Sequence, residues 1–424
     1  MLKVCFISMG CVKNLVDTET LAGIFAVNGF EISSIPSISD IIIITTCSFI
    51  EEAREENFAM IRKVCSLKKS DQKIIVAGCM AHSHGREVFE KFPQVDGVFG
   101  FSTYKKLPEI LKELNNRKIF IGEKGFLNTS SMPRLLATPK SYAYLKIAEG
   151  CSNNCSYCKI PSIRGPYKSR SISDILKEAR MLLEYGVKEL ILIANDTAFY
   201  GKDKGKFLLK KLLKEISRTG FEWIRVLYMH PSHINDEIIE AFVENKNLLP
   251  YFEIPLQHTD DVILKKMRRE PFSKTFKKIE RIKKTVKNPI FRTTFIVGFP
   301  GETEKKFLKL VEDIKKLKFH WVSFFKYSAE KGTPAFSLKG KIPEEEKERR
   351  IQYIQDVQRK ITAEKNRYFV GKKLKILIDT PFEGHAFFQA PEVDGRILFS
   401  KKQKPQAFKE FMISGLDGYD LFVG

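Results

Sequence analysis

No stretch of the 424-residue chain approaches the ~20 uninterrupted apolar residues that a membrane-spanning helix requires, so none is expected. The opening residues, MLKVCFISMG, turn polar too soon for a secretory leader, which points to a cytoplasmic protein. There is no repeat of fixed period and no low-complexity tract, which argues against a solenoid or a coreless tail. Acidic residues are in deficit: 51 Asp plus Glu stand against 72 Lys plus Arg, a net charge of +21. A field of that sign favours polyanionic surroundings such as nucleic acid or the ribosome, although a solvated lysine-rich surface would give the same count. What is present, 43% hydrophobic and 29% charged residues, is the composition of a globular protein, and the length calls for two or three domains.

Apolar runs alternate with helix-favouring stretches. Residues 3–8, 41–46 and 73–77 read as strands, each followed by a helix, so 1–122 is expected to form an open α/β domain with a parallel sheet. Residues 123–140 mix Gly, Ser, Thr and Pro without periodicity and read as a linker. A second series of strands is expected at 143–148, 188–194, 222–227, 251–256, 291–297 and 321–326, with helices between them. That pattern over 141–340 suggests a partial (β/α) barrel, with its chemistry at the carboxyl ends of the strands. Residues 341–371 read as a connecting helix with an apolar stripe at Ile351, Ile354, Val357 and Ile361. The short segments LKILID, AFFQA, GRILFS, EFMISG and DLFVG of 372–424 suggest a small antiparallel β-barrel.

Eight cysteines occur without a secretion signal. In a reducing compartment clustered cysteines bind metal or do chemistry more often than they pair. Cys151, Cys155 and Cys158 form a CxxxCxxC motif in the loop after a strand. Soft thiolates suit iron–sulfur clusters. Three closely spaced thiolates can bind three irons of a 4Fe–4S cube and leave the fourth open. An open iron can chelate the amino and carboxylate groups of S-adenosylmethionine, and an electron passed to the sulfonium then yields a 5′-deoxyadenosyl radical. A structural zinc site would need a fourth ligand, and no His lies close. Tyr157, inside the last cysteine, could line a cofactor pocket or simply pack.

Cys11, Cys47 and Cys79 each come just after one of the first domain's expected strands. Strand ends of an open parallel sheet gather on one edge, where ligands bind, so three thiolates would converge and suggest a second cluster with an open iron. The competing reading is three buried small hydrophobes. Cys5, mid-strand, and Cys65, in a helix, fit that second reading and are assigned no role.

Along its whole length the chain resembles the methylthiotransferase family of radical S-adenosylmethionine enzymes, and within it the RimO branch. The resemblance is carried by MGCVKNLVDTET, TTCSFIEEAREE, AYLKIAEGCSNNCSYCKIPSIRG, ELILIANDTAFYG, EIPLQHTDDVILKKM, RTTFIVGFPGET and APEVDG. It implies an N-terminal domain with three cluster cysteines, a central radical domain, and a C-terminal β-barrel called TRAM. It implies two 4Fe–4S clusters, S-adenosylmethionine, an electron donor such as flavodoxin or ferredoxin, and as substrate an aspartate of the ribosomal protein called S-twelve. One cofactor molecule would methylate a sulfur held on the open iron at Cys11, Cys47 and Cys79. The other would be cleaved at Cys151, Cys155 and Cys158, and the radical would take hydrogen from the aspartate β-carbon, which then joins the methylated sulfur. The sibling MiaB branch modifies a tRNA adenosine. It usually has a Gln-Met-Asn type sequence where this chain has Val12, Lys13 and Asn14, and an Arg near the positions of Phe49 and Ile50.

This chain departs from the family at Thr45, where Asn is common, and at Asn195, where Gln is frequent. The family also uses the stretches around Gln257 and around Gly298 and Gly301 near the cofactor, and Asp196 is a candidate to face cofactor or substrate. Glu302 and Thr303 read as a helix-entry turn, and His230 and His258 as satisfied loop histidines with no acid–base role. From Pro381 to Gly424 there are five Lys or Arg and six Asp or Glu. A module gripping tRNA phosphates would be expected to be basic, so this composition modestly favours a protein substrate.

Overall fold

The run IIIITT is buried at every position, as expected of an inner strand whose sheet is covered on both faces. The computed structural model describes residues 1–424 and divides them into two units. The first comprises 1–137, 148–153 and 158–175, and the second 138–147, 154–157 and 176–424. In the first, β1 (Lys3–Ser8), β2 (Glu31–Ser33), β3 (Ile41–Thr46), β4 (Lys73–Gly78), β5 (Gly97–Phe99) and β6 (Lys118–Phe120) form a six-stranded sheet of order β2-β1-β3-β4-β5-β6. Every pair is parallel. Alternate residues point to opposite faces. Val4, Ile41, Ile43 and Ile75 pack with Leu21, Ile24 and Phe25 of α1 (Val12–Val27). Ile42, Ile44, Ile74 and Val76 pack with Ile61, Val64 and Cys65 of α2 (Glu51–Ser66) and Val88 of α3 (Cys79–Lys91). Cys5 and Cys65 are core residues.

The first helix is buried over most of its circumference, including Lys13, Asp17 and Glu19. The cause is the stretch 123–140, which has neither helix nor strand. Its residues 128–137 lie along α1. Arg134 pairs with Glu19, Asn128 Nδ2 donates to Thr20 Oγ1 at 2.7 Å, and a Cβ on Gly23 would lie 2.5 Å from the Pro133 carbonyl carbon.

The second unit contains two three-stranded parallel sheets. One orders Trp223–Val226, Glu189–Ile193 and Tyr142–Lys146; the other orders Tyr251–Glu253, Ile290–Val297 and Trp321–Lys326. Met229 N donates to Glu253 O at 3.0 Å between them, giving a partial barrel of the six expected strands. The strands expected at 222–227 and 251–256 stop early, and past their ends Tyr228 and Gln257 take positive φ, 62° and 71°. Helix Glu344–Arg367 follows, with Ile351, Ile354 and Ile361 buried. Val357 is only half-buried, and Gln358 is buried beside it, its Nε2 donating to Phe319 O at 3.0 Å.

The C-terminal segment forms a closed five-stranded barrel from Lys373–Ile378, Glu383–Ala386, Ile397–Phe399, Phe408–Asp417 and Asp420–Val423. Four pairs are antiparallel; Ile397–Phe399 and Asp420–Val423 run parallel. The segment AFFQA is not a strand beyond Ala386: Phe388 leaves the ladder to stack on Phe369 at 4.1 Å between ring centroids. The stretch 385–394 then docks on the first turns of the barrel strands. Arg225 Nη1 donates to Phe387 O, Trp321 Nε1 to Phe388 O, and Tyr251 Oη to Asp394. Arg292 pairs with Asp394 in the same place. This is the amino-terminal end of the strands, which leaves the carboxyl end for chemistry.

Candidate functional site

Strands β1, β3 and β4 are neighbours, and each passes to a cysteine: Cys11 opens α1, Cys47 follows Thr46, and Cys79 opens α3. The backbone is built for close approach. Gly10 has φ +89°, and a Cβ there would collide with the Cys47 Cβ. Gly78 has φ +91°, and a Cβ there would lie 2.7 Å from Thr46 O. Only glycine takes such a conformation without strain. Burial, followed by the neighbouring Cys11 and Cys79, pushes the Cys47 thiol up to about 12. Burial also raises Cys79, with Cys11 adding to it. Burial works the same way on Cys11, but Lys13, Arg164 and the backbone N–H groups of Asn14 and Lys13 outweigh it and lower that thiol. The three thiols therefore share one field. Three soft thiolates at adjacent strand ends are a donor set that suits an iron–sulfur cluster. Thr45 does not face the thiols; its hydroxyl pairs with Thr18 Oγ1 at 2.6 Å.

A residue the motif reading passed over sits in the same field. The hairpin of Ala148–Glu149 with Lys168–Ser169 and the short α4 (Ile160–Arg164) belong to the first unit. Arg164 is buried, and its Nη1 donates to Asp17 Oδ2 at 2.9 Å and to Glu149 Oε2 at 3.1 Å. Its guanidinium also lies over the Phe101 ring, 5.0 Å from the centroid. Beyond these carboxylates the guanidinium hydrogen-bonds the Cys79 sulfur, and the buried Tyr104 hydroxyl has no acceptor. Both side chains interact electrostatically with Cys79.

The CxxxCxxC loop follows that hairpin's first strand and has no regular structure from Cys151 to Lys159. Cys151 N donates to Gly165 O at 3.1 Å, within the first unit. Cys155 and Tyr157 belong to the second unit. There, Arg269 Nη1 lies 3.7 Å and His230 Nε2 3.9 Å from Cys155 Sγ. Tyr157 packs against the cluster of Ile263, Met267, Phe299 and Tyr327. Ser156 anchors the loop: its N donates to Met267 O at 3.0 Å and its Oγ to Lys266 O at 2.7 Å.

The remaining expected residues of the second unit lie past the strand ends. Asp196 is fully buried, pairs with His233 Nδ1 at 2.6 Å and accepts from His230 N at 3.3 Å. Gln257 N donates to Thr294 O at 2.8 Å, and its carbonyl accepts from Ile296 N at 2.8 Å. Gly298 N donates to Glu302 Oε1 at 3.0 Å. Glu302 is more than a helix-entry residue, because its buried carboxylate also meets His258 Nε2 at 3.2 Å and Arg350 Nη1 at 2.7 Å. Thr303 caps the next helix, its hydroxyl accepting from Lys306 N at 3.4 Å. Added Cβ atoms at Gly298 and Gly301 would collide with Lys347 and Lys266. The residues that motif reasoning missed are Asp17, Glu149, Arg164 and Arg269. The available signal was charge in otherwise apolar surroundings: one Arg in the short helix IPSIR, one Asp in the buried helix α1.

Three family descriptions match the chain: the Radical SAM superfamily over residues 145–314, Uncharacterized protein family UPF0004 over 3–100, and the TRAM domain over 370–423. A ribosomal protein uS12 methylthiotransferase RimO of Thermoanaerobacter sp. (strain X514) is 39% identical over 430 residues, covering 99% of this chain and 98% of its own. Another, of Aquifex aeolicus (strain VF5), is 40% identical over 432 residues, covering 99% of this chain and 96% of its own. Among solved structures, the radical S-adenosylmethionine methyltransferase TsrM from Kitasatospora setae superimposes on 79% of this chain and 75% of its own, with TM-score 0.57 and 14% identity, a likeness of fold alone.

Proposed function

Because the chain belongs to the family of ribosomal protein uS12 methylthiotransferases, we propose that it attaches a methylthio group to the β-carbon of an aspartate in that ribosomal protein. Membership of the radical SAM superfamily carries S-adenosylmethionine and a 4Fe–4S cluster with it. The second cluster is part of the proposal, and the observation behind it is the meeting of Cys11, Cys47 and Cys79 at three adjacent strand ends. When bound, the two clusters and the cofactor supply one-electron cleavage and a transferable sulfur, chemistry that no side chain here could supply.

The chain's own residues hold and order these groups. Cys151, Cys155 and Cys158 supply three thiolates, and Arg269 places a buried positive charge beside Cys155. Tyr157, Asp196, Gln257, Gly298 and Gly301 are proposed to contact the cofactor. Glu302 fixes the Gly298 turn from beneath, and His233 fixes the Asp196 carboxylate. Removing hydrogen from an unactivated carbon needs no general base, so the paired histidines are left to positioning. The electron donor is proposed to be a flavodoxin or ferredoxin. No helix of the chain is long and apolar enough to cross a membrane, and a ribosomal substrate supports a reaction in the cytoplasm.

Mass spectrometry of ribosomal protein uS12 and of bulk tRNA from a deletion strain tests the reading. Loss of the methylthio mass from the protein alone is expected. Loss from tRNA with the protein unchanged would overturn it in favour of the tRNA-modifying branch.

A further inference from the structure

Arg164 lies in α4, outside both cysteine sets, yet its side chain stands in the field of the first unit's thiols. A buried guanidinium is costly unless it is paired. Here Nη1 is paired with Asp17 and Glu149, and the ring of Phe101 covers one face. Those contacts leave the rest of the guanidinium to Cys79, whose sulfur it hydrogen-bonds, while the buried Tyr104 hydroxyl in the same field has no acceptor. Two buried donors therefore converge on one thiol. A buried cation and a hydroxyl at that place favour an anionic, sulfur-rich acceptor.

We propose that Arg164 is the positioning residue of the second cluster, donating through Nη2 to its anionic sulfur while Tyr104 donates a second hydrogen bond. The inference rests on the proposed second cluster at Cys11, Cys47 and Cys79. Three thiolates on one cube make the site anionic, and each further negative charge held on its sulfur would be less stable without a counter-charge. Asp17 and Glu149 fix the direction of the fork, so the charge falls on the thiol side rather than on either carboxylate alone. Reduction potential follows the net charge and the hydrogen bonds at the sulfurs. A cation and donor at this place therefore favour the reduced cluster and the anionic sulfur it carries.

The test uses the full chain with Cys155→Ala, which leaves only the second cluster. Iron content and the midpoint potential, followed by electron paramagnetic resonance, are compared with and without changes at Arg164. Arg164→Gln is expected to weaken the cluster's hold on an added electron at least tenfold, which is about 59 mV for a one-electron couple. Arg164→Lys keeps the charge but loses the fork, and should recover at least half of that shift. Tyr104→Phe should lower the potential by less than Arg164→Gln. An Arg164→Gln protein with about four irons and an unchanged midpoint would overturn the proposal. If Arg164→Gln folds but holds no iron, Arg164→Lys decides: a restored cluster supports a role of charge, and a missing one overturns it. Absence of iron from the Cys155→Ala parent would remove the second cluster itself, a separate failure that takes this inference with it.

Discussion

Raising the pH through 9 should loosen the docking of the C-terminal barrel, because a buried charged histidine holds it. His385 is fully enclosed between Glu189 Oε2, 2.7 Å from Nε2, and Asp379 Oδ2, 2.7 Å from Nδ1. Both ring nitrogens face carboxylates, so both carry protons. Tyr142 and Trp223 close the sides, and Arg225 Nε holds the other oxygen of Glu189 at 2.7 Å. Burial by itself would lower the imidazole; Asp379 and Glu189 outweigh it and lift it to about 9. A folded-state value above the unfolded one, about 6.5, means the contribution is complete below about 6.5 and is lost as pH rises through about 9. At about 1.4 kcal/mol for each tenfold change in proton affinity, that is about 3 kcal/mol. The chain has two tryptophans, and both report on this interface. Trp223 packs on the rings of His385 and Phe408, and Trp321 Nε1 donates to Phe388 O. Urea unfolding followed by tryptophan fluorescence, at pH 6.5, 8 and 10, should show the advantage of the native chain over His385→Gln shrinking by most of that amount. An advantage that stays constant across the range would refute a protonated His385.

Other outcomes follow from the same geometry. Cys155→Ala should abolish 5′-deoxyadenosine formation, whereas Cys47→Ala should keep it and lose the methylthio product; product from Cys47→Ala would refute the second cluster. Gly10→Ala, which drives a methyl group into Cys47 at a φ of +89°, should cut reconstituted iron from about eight to about four per chain, read by iron assay. Asp394→Ala leaves the buried Arg292 with only the more distant Glu253 carboxylate, 3.7 Å away, and a loss of up to about 3 kcal/mol is expected in urea denaturation.

Much of the fold was legible because burial leaves a strong imprint on sequence. The run at 41–46 could only be an inner strand, and six apolar runs in the middle of the chain marked six barrel strands. The three-residue strands Glu31–Ser33, Gly97–Phe99 and Lys118–Phe120 are too short to show a period. The parallel pair in the C-terminal barrel is a fact of chain crossing that local pattern does not carry. AFFQA reads as strand because aromatic residues favour strands, but a ring stacked on Phe369 and a backbone bound to Arg225 and Trp321 took those residues out of the ladder.

The first unit's site divides in the same way. Its thiols were legible because each follows a strand, and strand order gathers strand ends. Its charge was not legible, because Arg164 reaches the thiols across 147 positions from its partner Asp17, and nothing local in IPSIR distinguishes a structural arginine from a surface one. The ligands of such a site can be read from their places on strands. What balances their charge comes from a segment that folds back onto the sheet, and it is visible only when the buried donors are counted one by one. Arg164 and Tyr104, both buried and both in the field of Cys79, are what that count turns up.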